Sequence, residues 1–103
     1  MPAYLAGKVA VVFGGGGEAH RGIAVALAQA GADVAVAGVT GDDLSAEATL
    51  HSIANEVWAL GRKSTVVTLA ADDAPSFAQA VSDAISALGG ADVVVRADAV
   101  LNA

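Results

Sequence analysis

Two groups of residues in this 103-residue chain have the type and spacing to do chemistry. The first is the run Gly14-Gly15-Gly16-Gly17, set between the apolar segment Val9-Ala10-Val11-Val12-Phe13 and a helix start at Ala19. A strand that feeds a helix through glycines aims backbone N–H groups and the positive end of the helix at one point, which makes a seat for a phosphate. Gly14, Gly16 and Gly17 are the candidate binding residues. The second group is His20 and Arg21, two donor or cationic side chains at that helix start, suited either to recruiting an anion or simply to facing solvent. His20 and His51 have no metal-ligand spacing, and no serine–histidine–acid set is visible, so neither a metal nor a catalytic residue is assigned.

The elements that must position these residues are bounded first by composition. With 103 residues, 55% of them hydrophobic, the chain is long enough for one domain with a real core, so residues 1–103 are read as a single domain. A net charge of −6 with five Lys+Arg lacks the basic footprint of a nucleic-acid binder and disfavours an anionic membrane surface. There is no cysteine, hence no disulfide framework and no thiolate metal site. The first residues lack a basic segment followed by an apolar run, and no stretch reaches about 18 consecutive apolar residues, so the expected location is the cytoplasm.

Hydrophobic periodicity supplies the elements. Residues 8–13 are a β-branched, nearly all-apolar strand of the kind covered on both faces. From 19 to 30, Ile23, Ala24, Leu27 and Ala28 recur at helical spacing and Gly31 stops the helix. Residues 33–38 repeat the strand pattern, completing a parallel β-α-β unit. Asp42 or Asp43 caps a second helix that runs to about Leu60 with Leu50, Ile53, Ala54, Val57 and Leu60 facing inward and Trp58 covering the helix–sheet seam. A third strand spans 63–69. Pro75 opens a third helix whose inward stripe is Phe77, Val81, Ala84, Ile85 and Leu88, and Gly89-Gly90 ends it. Residues 91–95 form the fourth strand, and 96–103 a short tail. The succession β-α-β-α-β-α-β implies an α/β, doubly wound, Rossmann-like three-layer fold with a parallel four-stranded sheet in order 3-2-1-4. The crevice where that order reverses lies beyond the end of strand 1, where the glycine run sits.

Gly7-Lys8-Val9-Ala10-Val11-Val12, the glycine turn, the stretch from Ile23 to Val34, Ala59-Leu60-Gly61-Arg62 and Leu88-Gly89-Gly90-Ala91-Asp92-Val93-Val94-Val95 resemble the N-terminal half of the short-chain dehydrogenase/reductase family. The resemblance implies an NAD- or NADP-binding Rossmann unit. In the family the first turn reads Thr-Gly-x-x-x-Gly-x-Gly. Here those positions are Phe13, Gly14, Glu18 and His20, so one glycine of three is kept. The second glycine lets the cofactor diphosphate approach, and Glu18 adds bulk and charge there while also suiting the positive end of a helix. The third permits close helix–strand packing, so His20 should push the helix outward or rotate into the site. The residue that would select the ribose is about Gly38, followed by Val39 and Thr40, with neither an acidic nor a basic determinant. Asp72 matches the family's adenine-contacting Asp after strand 3. The family's Asn-Asn-Ala-Gly at the end of strand 4 is Arg96-Ala97-Asp98-Ala99 here, and Asn102 comes too late to substitute.

The family's catalytic Ser and Tyr-x-x-x-Lys pair belong to elements downstream of strand 4. Tyr4 and Lys8 satisfy the spacing but precede strand 1 in a segment that is no helix. The resulting expectation is a short-chain-dehydrogenase-like domain that is not catalytic alone and serves as an oligomerising or weak nucleotide-binding module. The alternative is the cofactor half of an oxidoreductase whose Ser/Tyr/Lys half is on another chain. Because strand 4 is an apolar edge followed by Ala99-Val100-Leu101, a homodimer through that edge or the tail is expected.

Overall fold

A computed structural model describes residues 4–97. Its elements are β1 (Val9–Phe13), α1 (Glu18–Gln29), β2 (Asp33–Val39), α2 (Leu44–Ala59), β3 (Ser64–Leu69), α3 (Ala74–Leu88) and β4 (Val93–Arg96). All strand pairs are parallel and the sheet order is β3-β2-β1-β4, as the alternation of elements requires. The tail beyond Ala97, including Asp98, Ala99, Val100, Leu101 and Asn102, lies outside the described residues.

Register is pinned at the N-terminal ends of the strands by two carboxylates. Val9 N donates to Asp92 Oδ2 at 2.9 Å, and Lys63 N donates to Asp33 Oδ1 at 3.0 Å. Each aspartate takes up a backbone N–H of a neighbouring chain segment where the ladder begins, so a one-residue slip would cost a charge-assisted bond as well as reversing the faces. Asp92 is therefore a capping residue and not part of β4, which starts two residues later than the sequence pattern suggests.

The core divides by face. Val12, Val34 and Val36 on one side of the sheet meet Ala24 and Ala28 of α1 and Leu50, Ile53, Ala54 and Val57 of α2. On the other side Val11, Phe13, Ala35, Ala37, Val67 and Leu69 meet Ala80 and Ala84 of α3, with Phe77, Val81 and Leu88 packed beside them. Asp43 caps α2, accepting from Ser45 N and Ala46 N, and Asp73 caps α3, accepting from Ser76 N at 2.8 Å. These side chains satisfy N–H groups that the helix itself leaves unpaired.

Three inward assignments are corrected. Leu60 is the residue capping the C-terminus of α2, past the last turn that rests on the sheet, and it is exposed. Ile85 is 47% exposed, beside the stripe of Ala80, Ala84, Phe77, Val81 and Leu88 by which α3 packs on the sheet. Trp58 is 72% exposed, on the outer face of α2, and does not cover the seam. No helix among the described residues is long and apolar enough to cross a membrane.

Candidate functional site

The glycine turn is organised by His20. The ring is 2% exposed, folded between the end of β1 and the first turn of α1. Its Nε2 donates to Val12 O at 2.9 Å, and Gly16 N donates to its Nδ1 at 3.0 Å. One nitrogen must donate and the other accept, so the bonds specify a neutral ring protonated at Nε2. This overturns both the solvent-facing reading of His20 and the expectation that it enters the crevice. The ring finds room because Gly14 has no side chain. A Cβ on Gly14 would lie 2.7 Å from His20 Cγ and 2.8 Å from Nδ1. Nor is α1 held off the sheet, since Ala24 and Ala28 remain buried in the core beneath it.

The other residues of the turn divide between two directions. Gly14 and Gly15 face the crevice, whereas Gly16 turns toward α2, where a Cβ would meet Thr49 Cγ2 at 2.7 Å. Gly17 is the N-cap of α1 and contributes no side-chain cap, and Glu18 stands exposed in the first turn. Arg21 is committed to α2: its Nη1 lies 2.6 Å from Glu56 Oε2, and its Nη2 donates to Ser52 Oγ at 3.1 Å. It ties the two helices on one face together and is turned away from the turn's N–H groups.

Beyond the carboxyl ends of the strands is a cavity of about 220 Å³, lined by Phe13, Gly14, Gly15, Gly38, Val39, Leu69, Asp72, Phe77 and Arg96. Every strand end contributes to it, which is the placement expected of a ligand crevice where strand order reverses. Its aromatic wall is the stacked pair Phe13 and Phe77, with ring centroids 4.0 Å apart and planes at 18°. Phe13 stands beside Arg96 across the β1–β4 ladder, so both project to the α3 face. The Arg96 guanidinium lies 5.5 Å from the Phe77 centroid, and its Nη2 reaches Asp72 Oδ1 at 3.4 Å. Both charged groups are substantially exposed, so the pair shapes the mouth of the cavity more than it stabilises the fold. A second hollow lined by Asp72, Asp73, Ala74, Phe77, Ala78 and Arg96 adjoins it at the start of α3. There Asp73 is held below the ordinary carboxylate value of 3.8 by its hydrogen bonds with the Ser76 side chain and backbone.

Gly38 explains why no acidic residue ends β2. A Cβ there would lie 2.7 Å from Gly14 O and 3.2 Å from both Leu50 methyl carbons. The backbone of the turn rests directly on β2, with Gly14 N donating to Ala37 O at 3.0 Å, and any side chain at 38 would have to displace it.

Of the residues singled out in the sequence, Gly14 and Asp72 are brought together at the cavity, while Gly16 and Gly17 lie apart from it. Phe77 and Arg96 are site residues that the sequence did not assign. Tyr4 is exposed in the segment leading into β1, at the end of the strand opposite the cavity. No group of three or more metal-ligating side chains is gathered among the described residues.

Comparison with known proteins gives this geometry a context. No protein-family model matches the chain. An uncharacterized oxidoreductase of Mycobacterium tuberculosis is 38% identical over 89 residues, covering 86% of this chain and 32% of the relative. Among solved structures, a short-chain dehydrogenase/reductase from Serratia marcescens matches with a TM-score of 0.73 and 31% identity, over 90% of this chain and 36% of that one. A putative dehydrogenase from Burkholderia cenocepacia with bound NADP matches with a TM-score of 0.75 and 27% identity, over 93% of this chain and 36% of that one. The chain thus spans about a third of the length of the proteins it matches.

Proposed function

We propose that this chain, a Rossmann unit homologous to the N-terminal part of short-chain dehydrogenases/reductases, holds the adenosine end of NAD(H) or NADP(H) weakly at its strand ends and is not catalytic by itself. The observation that carries the reading is the cavity itself. At about 220 Å³ it is small beside the roughly 300–1,000 Å³ of sites that enclose a whole drug-sized ligand, and it suits a single planar base. Phe13 and Phe77 offer an apolar wall, and the Asp72 carboxylate is an acceptor for an exocyclic amine. The Burkholderia neighbour, whose structure holds NADP, supports the same class of ligand.

The fit is closer at the base than at the diphosphate. Gly15 and Gly17 stand beside open space, and the start of α1 has no side-chain cap, so N–H groups are available. Gly16 N, however, is spent on His20, and Glu18 brings a negative charge to the same turn. Weak binding follows. Nicotinamide cofactors supply hydride transfer when bound, and the residues described here serve to hold and orient the adenosine end.

Titration calorimetry of the 103-residue chain with NAD+, NADP+ and adenosine 5′-monophosphate tests this reading. Dissociation constants of about 0.1–1 mM for all three are expected, or about −4 to −5.5 kcal/mol. Absence of heat with every one of them at millimolar concentration overturns it. A second reading has the proton-transferring Ser, Tyr and Lys supplied by another polypeptide. Its check is hydride transfer on mixing this chain with the remaining two thirds of such a relative.

A further inference from the structure

The way His20 holds the glycine turn makes the turn sensitive to a proton. Both partners of the ring are backbone groups of fixed sign: Gly16 N can only donate, 3.0 Å from Nδ1, and Val12 O can only accept, 2.9 Å from Nε2. Nε2 already carries its hydrogen, so the next proton taken up goes to Nδ1 and turns the acceptor of the Gly16 bond into a donor. Two N–H groups then face each other, and the softer partner gives way. That partner is the turn, whose residues 14–17 are all glycine, whereas the ring is only 2% exposed between β1 and α1. Nδ1 lies 2.8 Å from where a Cβ of Gly14 would be, and Gly14 lines the cavity, so the nitrogen that changes charge stands behind a residue of the cavity wall.

We propose that His20 is a proton-operated latch on the nucleotide site: the neutral ring ties up Gly16 N, and protonation at Nδ1 releases it and adds a positive charge beside Gly14, so that a diphosphate is held more tightly in mild acid. An anion at the turn favours the charged ring, and the charged ring favours the anion by the same factor. The charged groups on the elements around the ring have other places. On α1, Glu18 stands two positions from His20, about 200° round the helix, and Arg21 is tied to Glu56 of α2 at 2.6 Å. On the α2 side, Asp43 caps the helix, and Glu47 and His51 lie 3.7 Å from one another, both well exposed. Asp33 of β2 bonds Lys63 N at the opposite end of the sheet, and Asp72 and Arg96 meet near Phe13 and Phe77 on the α3 face, across the sheet from Val12. β1 itself, Val9–Phe13, carries no charged side chain. The proposal rests on the nucleotide reading for what the latch controls, and not for the latch itself.

Nuclear magnetic resonance of the unmodified chain tests the latch, and calorimetry tests what it controls. The His20 ring nitrogens should report the Nε2–H form at about pH 7.5, and on acidification the Gly16 amide proton should shift upfield with the same midpoint as the ring. For NAD+, whose diphosphate has no proton to lose near neutrality, the dissociation constant should fall about fivefold between about pH 7.5 and about pH 5.5, with a fraction of a proton taken up on binding. Adenosine, which lacks the phosphates, should change by less than about twofold. His51→Gln should leave the pH dependence in place. His20→Asn, whose carboxamide oxygen can accept from Gly16 N but does not take up a proton, should remove it. NAD+ binding that is unchanged or weaker in acid overturns the proposal. So does a Gly16 amide that stays put while the ring is protonated, a measurement that needs no variant. A chain that takes NAD+ at neither pH overturns the nucleotide reading instead, and the Gly16 shift then upholds or overturns the latch by itself.

Discussion

On one side of β1, at the glycine turn, the histidine that stands at a family glycine position has been given internal partners. His20 bonds Val12 O and Gly16 N, and the missing side chain of Gly14 is what admits its ring. On the other side, at the strand ends, the replacements leave a hollow. Arg96 and Asp72 meet at 3.4 Å across the mouth of a cavity of about 220 Å³, both in contact with water. The contrast teaches that departures from a binding motif need not have the same effect along its length. Where a large side chain is buried, the structure is locked and the backbone groups it bonds are closed to a ligand. Where the new side chains stay at the rim, a cavity persists and its chemistry changes instead.

That contrast can be broken at its strongest point by His20→Ala. Loss of the ring leaves a hole and two backbone groups without their partner, and about 3–4 kcal/mol of stability should go, read by urea unfolding. Gly14→Ala should cost about 2–3 kcal/mol, because the added carbon meets a ring held by two hydrogen bonds and unable to yield. In a His20→Gly background the same change should cost little, and a coupling above about 1 kcal/mol is expected. If the two costs simply add, the interlock described here is wrong. Phe77→Ala loses the stack on Phe13 in a half-buried site, for about 2 kcal/mol, and should also abolish the heat of nucleotide binding. Asp72→Asn should change stability by less than about 1 kcal/mol while weakening nucleotide binding, which is the signature of a rim group.

The smallest effect concerns Asp73. Its folded value lies below 3.8, so its contribution to stability is complete above 3.8 and disappears as pH falls through the lower folded value. Asp73→Asn should flatten the stability profile in that acid window by lowering stability at neutral pH, where the carboxylate's contribution is complete, and leave it unchanged below the window, as pH-dependent urea unfolding would show.

Strand–helix alternation and strand order were legible because each strand is short and β-branched and each helix ends at a glycine. Element ends were less so. The start of β4 moved because Asp92 looks like the first residue of a strand but turns to bond Val9 N, a partner 83 residues away that no local pattern contains. Leu60 and Ile85 fit the helical period, yet Leu60 stands past the last turn of α2 and Ile85 beside the stripe that packs on the sheet. The site was half legible. Gly14 and Asp72 were found from the motif positions, whereas His20 could be read there only as a residue out of place. A signal did exist: a run of four glycines ahead of a single histidine offers more room than a phosphate needs. Arg96 was hidden in a different way, since its position at the cavity follows from pairing with Phe13, which requires the strand register.

The pairing of β1 with β4 also sets an order in time. β1, α1, β2, α2 and β3 can assemble from local crossovers as they emerge, but β1 must wait for β4, the most distant of its partners along the chain. Until then the central strand, Val9-Ala10-Val11-Val12-Phe13, is an exposed apolar edge and the segment most open to misassociation during synthesis or refolding. The slow step of folding should accordingly be the docking of β4, closing a loop of nearly the whole described chain.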